Sequence, residues 1–376
     1  MCDPISFAIV GMGMLGKSHA EVILNHPSSQ LVAVCDLDRH QIDMFCRTNS
    51  SVHPYTDYRT MFTTEKIDVV IVATPDAYHK DPILQALESG IKTIICEKPL
   101  STNLKDAEEI AKAAKEANAS IYLCFMLRMS PFNRAIRALV KSQVLGSFLH
   151  GEFVNDDSYF VPTEYWGDRS KEWAMKSSPI HFLFSHTVDC LRYIFNPREV
   201  EKLYSLGKQE GTGSECDYCE ALLVWDDGSV IRIKTEWMRK IRTLVETYSV
   251  FTFEKAGIIH RSTDAAGPSF LRIDFNDKNV LDEAEAVLQS EGFTARTEIA
   301  PKTFAKYSLV LLPEENRAPK SFPSSTYILD YLLGDHTHEE SIVDLDGGVE
   351  QVRIIEAILQ SMRLDKPVVV GHCLDD

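Results

Sequence analysis

Three glycines, Gly11, Gly13 and Gly16, have the spacing of a phosphate-binding turn. They follow an apolar run, Ile5–Val10, that is typical of a buried strand, and they precede a helical run, Lys17–Leu24. In such a turn the first glycine allows the tight bend, the second lets the backbone approach a pyrophosphate, and the third lets helix and strand pack closely. The helix N-terminus then offers free N–H groups and the positive end of its dipole to the phosphates. We therefore predict a phosphate cradle between this strand and this helix.

An acidic residue farther along completes a dinucleotide fingerprint. A second apolar run, LVAVCDLD, contains Asp36, which lies 20 positions after Gly16. A carboxylate there accepts hydrogen bonds from the adenosine ribose hydroxyls and repels a 2′-phosphate. Leu37 adds no positive charge, although Arg39 is near in sequence, so the pattern favours NAD over NADP. The predicted cofactor-binding residues of this region are Gly11, Gly13, Met14, Leu15, Gly16, Asp36 and Leu37.

Strand-like and helix-like segments alternate up to about residue 127. Apolar runs recur at Ile67–Thr74 and Ile91–Pro99, and each is followed by a helical pattern. Repetition of this kind is typical of a parallel, doubly wound sheet. Ligands bind beyond the carboxyl ends of such strands. We therefore expect the glycine turn, the segment Ala73–Asp76 and the segment Glu97–Pro99 at one edge of the sheet.

The pattern changes after residue 127, where short alternating segments replace the buried runs. Alternation indicates a predominantly antiparallel sheet with one covered face. We predict strands at Ser147–Val154, Val200–Gly207, Tyr218–Val224, Ser229–Trp237, Tyr248–Phe253 and Gly257–Arg261. Helices are predicted at Ser130–Ser142, within residues 276–290 and at Gly347–Met362, whereas Phe322–Leu333 could be a helix or a loop.

The whole chain of 376 residues is long for one compact core, so two domains are expected. The first, residues 1–127, is an α/β Rossmann domain that binds a dinucleotide. The second, residues 128–376, is an α+β domain with a large, mostly antiparallel open sheet. We expect this second domain to bind substrate and to form the oligomer, and its C-terminal helix could pack back towards the first domain.

Composition excludes several classes of protein. The formal net charge of −16 argues against a nucleic-acid-binding surface, which needs clustered Lys and Arg. No apolar run reaches the ~18 residues of a membrane span, and the first residues lack the basic segment of a signal peptide. The nine cysteines are scattered, and the CxxC at Cys216 and Cys219 has no second pair for a metal site. We expect a cytoplasmic protein with no metal and with neither nucleic-acid nor membrane partners.

Further segments carry a resemblance to a known family. After the glycine turn and CDLD come VATPDAYH, CEKPLS and FMLRMSP, then HTVDCLRYI and the helical segment GGVEQVRIIEAILQSMRL. These segments span nearly the whole chain, and Glu97-Lys98-Pro99 with a downstream HxxD is much more specific than the glycine pattern. The sequence resembles the Gfo/Idh/MocA family of NAD(P)-dependent oxidoreductases, the relatives of glucose–fructose oxidoreductase and inositol dehydrogenase.

The resemblance implies roles for residues at these motifs. On this basis Lys98 would be the catalytic lysine, Glu97 would help to place it, and His186 would be the substrate-side acid or base with Asp189 nearby. Thr74, Pro75 and His79 would line the nicotinamide side of the cofactor, and Arg128 would lie at the domain junction. Glu97 and Lys98 would also contact the cofactor. The resemblance also implies a homodimer or homotetramer formed through the open face of the second domain's sheet.

Lys98 suits the removal of a hydride from an alcohol. That reaction needs a group to take the hydroxyl proton. A partly desolvated lysine beside the positive nicotinamide of NAD⁺ has a pKa that is pushed down towards neutrality. When protonated, it can hydrogen-bond the substrate oxygen. Because Lys98 lies at the carboxyl end of a predicted strand, we expect a catalytic lysine rather than a surface one.

The segment SPIHFLFSHTVD departs from the family pattern at one position. The family commonly has Asp four residues before the histidine, where the carboxylate orients the imidazole from the same helical face. Here that position is Phe182. Asp189 lies three residues after His186 and could substitute, whereas His181 would lie about 140° away on a continuous helix. We predict that Lys98 and His186 are catalytic and that the substrate contacts Arg128, Asp189, Tyr165 and His181. Either histidine could instead be packed in the core.

The stretch from Asp156 to Trp173 is rich in aromatic and acidic residues. Its rings could stack on a sugar, and Tyr159 or Tyr165 could move a proton in place of the missing Asp. The alternative is an ordered arm that packs on the domain or on a partner subunit.

The sequence favours an NAD-dependent dehydrogenase or reductase of a secondary alcohol or ketone in a sugar, polyol or sugar derivative. One alternative is a different substrate, such as a dihydrodiol or a tetrapyrrole. Another is a non-enzymatic, NAD-binding regulator, which would not need the pair of Lys98 and His186. Fold alone does not decide among these.

Overall fold

A computed structural model describes residues 4–167, 169–263, 269–300, 304–316 and 325–371. These residues form two compact units. The first unit takes those within Met1–Met126 and Lys320–Val352, and the second takes those within Leu127–Pro319 and Arg353–Asp376. The division differs from a single boundary at residue 127, because a late segment of the chain clusters with the first unit.

The elements follow in chain order, with three-ten turns at Asp76–Tyr78, Met126–Met129 and Glu339–Ser341. Residues 4–126 form β1 (Ile5–Val10), α1 (Met14–Asn25), β2 (Ser29–Cys35), α2 (Arg39–Thr48), β3 (His53–Tyr55), α3 (Tyr58–Thr64), β4 (Val69–Val72), α4 (Lys80–Glu88), β5 (Thr93–Glu97), α5 (Leu104–Ala117) and β6 (Ser120–Cys124). Then come α6 (Pro131–Ser142), β7 (Phe148–Asp157), α7 (Phe160–Thr163), α8 (Arg169–Ala174), α9 (Pro179–Phe182), α10 (Phe184–Phe195), β8 (Val200–Lys208), β9 (Tyr218–Trp225), β10 (Val230–Glu236), β11 (Val245–Phe253), β12 (Ala256–Thr263), β13 (Phe270–Phe275), α11 (Lys278–Ser290), β14 (Arg296–Ile299) and β15 (Tyr307–Leu311). The last elements are α12 (Ser325–Leu332), β16 (Val343–Asp344), α13 (Leu345–Leu364) and β17 (Val368–Val369).

The first unit contains a sheet of seven described strands in the order β16-β6-β5-β4-β1-β2-β3. The six strands β1 to β6 are parallel, and β16 is antiparallel to β6. Apolar side chains on both faces of the parallel strands are buried, as expected when helices cover both sides. The predicted Rossmann domain is confirmed.

Residues 325–352 complete this first sheet and its core. Val343 of β16 lies opposite Leu123 of β6. Ile328 and Leu329 of α12 are buried in the same apolar cluster as Ile9 of β1. Within the segment Phe322–Leu333, the helix covers Ser325–Leu332, and residues 322–324 lie outside the described residues.

The second unit contains a sheet of ten described strands in the order β14-β15-β13-β12-β11-β7-β10-β9-β8-β17. β7 and β10 pair in parallel, and the other neighbours pair antiparallel. Buried side chains alternate along the strands and share one core cluster with α6, α10 and α11. On the opposite face Leu206, Leu222 and Tyr248 are exposed. The predicted large, mostly antiparallel open sheet is confirmed.

The strand Phe270–Phe275 was not among the predicted elements, since the surrounding stretch is more polar than the earlier strands. It pairs with β12 and β15 in the middle of that half of the sheet. No helix within the described ranges is both long enough and apolar enough to cross a membrane.

Candidate active site

The glycine turn lies between β1 and α1, and its three glycines have different steric roles. Gly11 has a φ of +95°, and a Cβ there would lie 2.5 Å from the carbonyl oxygen of Ala73. A Cβ at Gly16 would overlap the carbonyl oxygen of Gly11. A Cβ at Gly13, by contrast, would meet no heavy atom within 4 Å. Gly11 and Gly16 are therefore needed for folding of the turn, whereas Gly13 keeps space open beside the backbone.

The space beside Gly13 fits an anionic group. α1 begins directly after Gly13, which makes no side-chain cap, and the first turn has no acidic residue. The helix end thus keeps its positive dipole for a ligand. Met14 is half exposed at this helix start. These features fit the pyrophosphate of a dinucleotide.

Asp36, at the end of β2, is held by two backbone amides. Its Oδ2 accepts from the N–H of Met12 at 2.7 Å, and its Oδ1 accepts from the N–H of Asp38 at 2.9 Å. A carboxylate has about four acceptor positions, so two remain for ribose hydroxyls. Leu37 is 93% exposed, which leaves its side chain without a packing role inside the unit.

His79 joins the loops that follow β4 and β5. Its Nδ1 lies 2.7 Å from the carbonyl oxygen of Pro99, and its Nε2 lies 2.9 Å from that of Thr74. Thr74 in turn donates its hydroxyl to the carbonyl of Tyr78 at 3.1 Å. The two ring nitrogens of His79 therefore bind backbone, so the residue shapes these loops. The predicted contact of Thr74, Pro75 and His79 with nicotinamide stays a prediction.

Glu97 and Lys98 lie at the carboxyl end of β5, where the strand rule placed them. Both are buried, each 7% exposed. The backbone N–H of Lys98 donates to Glu97 Oε2 at 3.3 Å, and Glu97 Oε1 lies 2.8 Å from Nε2 of His19. The other ring nitrogen of His19, Nδ1, lies 2.6 Å from Oγ of Ser325.

Neither His19 nor Ser325 was predicted from the sequence. A signal for His19 was present, because Gly16, His19, Ala20 and Ile23 recur at helical spacing and form the buried face of α1. A histidine on such a face needs partners for its nitrogens. Ser325 carried no comparable signal, since it lies 306 positions from His19.

His19, Glu97 and Cys124 also form the group in the described residues whose donor atoms could hold a metal ion, with those atoms within 4.8 Å of one another. The direct hydrogen bonds of His19 to Glu97 and Ser325 already use both ring nitrogens. The expectation of no metal stays a prediction.

The segment with the two histidines is two helices instead of one. α9 ends at Phe182 and α10 begins at Phe184, so the angle expected for His181 on a continuous helix does not apply. Ser178 caps α9, and its Oγ accepts from the N–H of His181 at 3.3 Å and lies 2.9 Å from its Nδ1. His181 is buried and is thus a helix-start histidine. Its predicted substrate contact stays a prediction.

Asp189 lies on α10, one turn beyond His186, and binds Arg128. Nε and Nη2 of Arg128 donate to the two carboxylate oxygens of Asp189 at 2.8 and 2.7 Å. Asp189 is 0% exposed. Burial opposes the charge on Arg128, but the Asp189 carboxylate outweighs it, so the pKa of Arg128 is raised. Both residues were predicted to bind substrate individually, and the structure makes them a bidentate pair within the second unit.

Phe182, at the position of the family's usual Asp, belongs to an aromatic cluster. Its ring centroid lies 4.9 Å from that of Trp173 and 6.3 Å from those of Trp166 and Trp237. Trp237 follows β10 and is fully buried. Phe182 therefore packs against aromatic rings, and the shorter, charged side chain of an Asp at this position could not make these contacts.

The aromatic stretch contributes further to this cluster. The ring of Tyr165 lies 5.1 Å from Trp166 and 6.1 Å from Phe160. Asp156, on β7, accepts from Lys234 at 2.8 Å and from Arg239 at 3.0 Å. Burial raises the pKa of Asp156, although both cations oppose the rise. Its carboxylate is thus engaged inside the unit, and the proton-transfer role of Tyr165 or Tyr159 stays a prediction.

Comparison with known proteins agrees with this architecture. Residues 5–125 match the model of an oxidoreductase family with an NAD-binding Rossmann fold, Gfo/Idh/MocA. The WlbA dehydrogenase of Bordetella pertussis, solved with NADH and UDP-GlcNAcA, superposes with a TM-score of 0.73 over 98% of this chain and 99% of that one, at 17% identity. At that identity the likeness shows the fold alone.

Two curated relatives match over part of the chain. Inositol 2-dehydrogenase of Rubrobacter xylanophilus is 28% identical over 209 residues, which is 54% of this chain and 56% of that protein. Trans-1,2-dihydrobenzene-1,2-diol dehydrogenase of Mus musculus is 25% identical over 228 residues, which is 60% of this chain and 66% of that protein. The matches thus span less than two thirds of these relatives' own lengths.

Proposed function

Because residues 5–125 match the model of the oxidoreductase family with an NAD-binding Rossmann fold, we propose that the chain is an NAD-dependent dehydrogenase or reductase. It moves a hydride between nicotinamide and a secondary alcohol or ketone of a sugar, polyol or sugar derivative. The observation that carries this proposal is Lys98, buried with Glu97 at the carboxyl end of β5, in a sheet whose β1 leads into the glycine turn. The parallel sheet brings these ends to one edge.

The chain's own residues favour NAD over NADP. The backbone around Gly13 and the N-terminus of α1 would hold the pyrophosphate, and Asp36 would accept from the ribose hydroxyls. Two backbone amides fix the position of the Asp36 carboxylate, and a carboxylate at this place would repel a 2′-phosphate. When bound, the nicotinamide supplies the hydride chemistry. Thr74, Pro75 and His79 line its side through the loops that His79 joins.

Lys98 manages the proton. In the oxidation direction its amine takes the proton of the substrate hydroxyl, and in the reduction direction its ammonium returns one. Glu97 fixes the backbone of Lys98 and thereby the start of its side chain.

His186 is the substrate-side acid or base in this proposal. It lies in the first turn of α10, which begins at Phe184, and Phe182 takes the place of the family's usual Asp. The guanidinium of Arg128 already donates from Nε and Nη2 to the Asp189 carboxylate, and this pair would contact the substrate. His181 and Tyr165 complete the substrate-contacting set.

A substrate without sugar hydroxyls is the second candidate. It is favoured by the aromatic cluster around Phe182, which places apolar surface at the position where the family commonly has a carboxylate. The similarity to a dihydrodiol dehydrogenase points the same way.

The chain would form a homodimer or homotetramer through the open face of the ten-stranded sheet, which would cover the exposed Leu206, Leu222 and Tyr248. Light scattering of the purified protein measures the mass of the oligomer.

The test is NADH formation over a panel of polyols, aldoses, uronic acids, glycosides and dihydrodiols. Lys98→Met should lower kcat by about 10²- to 10⁴-fold, as expected for loss of a proton-transfer group. Its NADH affinity, measured by fluorescence, should remain. Lys92→Met is the matched control, because Lys92 is an exposed lysine just before the same strand and should leave kcat unchanged. Turnover that survives in Lys98→Met would exclude Lys98 from the chemistry, and tight NADH binding without any turnover would favour a regulator.

A further inference from the structure

A buried chain of hydrogen bonds links the cofactor helix to the loop of Lys98. It runs from Ser325 Oγ to His19 Nδ1 (2.6 Å), from His19 Nε2 to Glu97 Oε1 (2.8 Å), and from Glu97 Oε2 to the backbone N–H of Lys98 (3.3 Å). His19 is 0% exposed. All four residues belong to the first unit.

The direction of these bonds follows from the chemistry of the groups. A carboxylate only accepts, so His19 Nε2 must carry the proton that faces Glu97. In a neutral ring Nδ1 is then an acceptor, and the Ser325 hydroxyl donates to it. The Glu97 carboxylate thus fixes the tautomer of His19, and the Ser325 hydroxyl complements it. His19 occupies one oxygen of Glu97 while the other oxygen accepts from the N–H of Lys98.

We propose that His19 is a positioning residue for Lys98, acting through Glu97. Helix α1 starts at the phosphate cradle, and His19 lies on its buried face, one turn beyond Gly16. A shift of α1 therefore moves His19, and Glu97 transmits the shift to the backbone of Lys98. The position of Lys98 is thereby fixed relative to α1, the helix that would bind the dinucleotide. This inference rests on the proposed function, since it assigns a role within that site.

A metal ion at His19, Glu97 and Cys124 is the competing explanation of the same cluster. It would have to replace the bonds that both ring nitrogens of His19 already make. A metal bound at one equivalent in the purified protein, measured by elemental analysis, would overturn the positioning role.

Two isosteric variants separate the two bonds of His19. The amide nitrogen of Gln matches the place of His Nε2, so His19→Gln keeps a donor to Glu97. The amide of Asn matches the place of Nδ1, so His19→Asn reaches Ser325 and leaves Glu97 without this donor. Both variants bury an amide of similar polarity. A positioning role predicts that His19→Asn lowers kcat by about 10- to 100-fold, as for a misplaced catalytic group. KM for NAD should change little, and His19→Gln should restore kcat.

The stability control is Ile23→Ala, which opens a cavity on the same buried face of α1, one turn beyond His19. It should lower Tm and leave kcat unchanged. If kcat instead falls equally in Ile23→Ala and His19→Asn, the role of His19 is structural and the proposal is wrong. Equal kcat in wild type, Asn and Gln variants overturns it as well.

Hydrogen exchange separates this inference from the proposed function. The amide of Lys98 should exchange faster in His19→Asn and at the wild-type rate in His19→Gln, measured by mass spectrometry over residues 93–100. This readout needs no substrate. If the wild type turns over no substrate, the proposed function is contradicted. The exchange rates then still show whether His19 positions the backbone of Lys98. Unchanged exchange in His19→Asn overturns the positioning role in either case.

Discussion

The glycine turn of the first unit and the two-histidine segment of the second unit are built on different principles. In the turn, the geometry is set by backbone sterics within a few residues, because Gly11 and Gly16 have no room for a Cβ. In the segment around α9 and α10, the geometry is set by partners that are far away in sequence. Arg128 reaches Asp189 across 61 positions, and Phe182 packs against Trp237.

The difference explains why one region follows its family pattern and the other does not. A backbone-built site tolerates few substitutions, since any Cβ at a tight glycine collides. A site built from side chains can exchange a carboxylate for a phenyl ring when aromatic neighbours change with it. On the proposed function, the first unit would carry the general chemistry, and the second unit would have freedom to vary the substrate.

Glycine substitutions in the turn should give the largest effects and should split in two ways. Gly16→Ala collides with the Gly11 carbonyl, so we expect a loss of at least about 4 kcal/mol in the free energy of unfolding. Gly13→Ala meets no atom and has a negative φ, so its stability should match the wild type. Its NADH affinity should fall about 10-fold or more, which is about 1.4 kcal/mol.

Denaturant unfolding and NADH fluorescence titration measure these two quantities. Wild-type NADH affinity in Gly13→Ala would show that the open space beside Gly13 is not where the pyrophosphate lies.

Breaking the Arg128 and Asp189 pair should give the next effect. Asp189→Asn leaves a buried guanidinium with a weaker partner, and loss of one member of a buried pair costs about 3–5 kcal/mol. The double variant Arg128→Met with Asp189→Leu should recover most of that stability, since no charge is left unpaired. Urea unfolding of the single and double variants measures the coupling. A large fall in kcat at unchanged stability would instead make Asp189 a substrate residue first.

Placing the family's usual Asp at position 182 tests the aromatic packing at the end of α9. Phe182→Asp puts a charge among Trp166, Trp173 and Trp237, so we expect about 3 kcal/mol of lost stability and no gain in kcat. Phe182→Leu, which stays apolar, should lose less. Thermal melts and the substrate panel provide the two measurements. A rise in kcat for Phe182→Asp would mean that His186 lacks an orienting partner in the wild type.

Much of the first unit and less of the second could be predicted from sequence. The strand, turn and helix around Gly11–Gly16 depend on local spacing, and β1 was predicted with the bounds Ile5–Val10 that the structure has. Ends of parallel strands obey a topological rule, so Lys98 could be placed as well. The break at Leu183 could not be predicted, because it depends on the capping of α9 by Ser178 and on the packing of Phe182. The Ser325 contact of His19 was equally hidden, since no periodicity spans that distance.

The smallest effect on stability should come from His260, and it should appear as a dependence of the unfolding free energy on pH. Burial lowers the pKa of His260 from 6.5 to about 4 in the core of the second unit. The unfolded chain binds this proton as pH falls below 6.5, while the folded chain does not until about pH 4. Stability is therefore lost across that window, by at most about 3 kcal/mol, and nothing is lost above it.

His260→Gln removes the titration and keeps a polar group near Ser249. Between pH 7 and 4 its unfolding free energy should fall less steeply than that of the wild type. The difference in slope should correspond to the uptake of at most about one proton on unfolding. Parallel slopes for the two proteins would mean that His260 charges freely in the folded state.

The return of residues 325–352 to the first unit has a consequence for biosynthesis. The ribosome makes residues 127–319, which form most of the second unit, before it makes α12 and β16. Until then β6 has an unpaired edge, and the apolar surface that Ile328 and Leu329 will cover is open to water. The nascent Rossmann sheet is therefore an aggregation-prone intermediate, and a fragment cut at residue 127 would keep that exposed edge permanently.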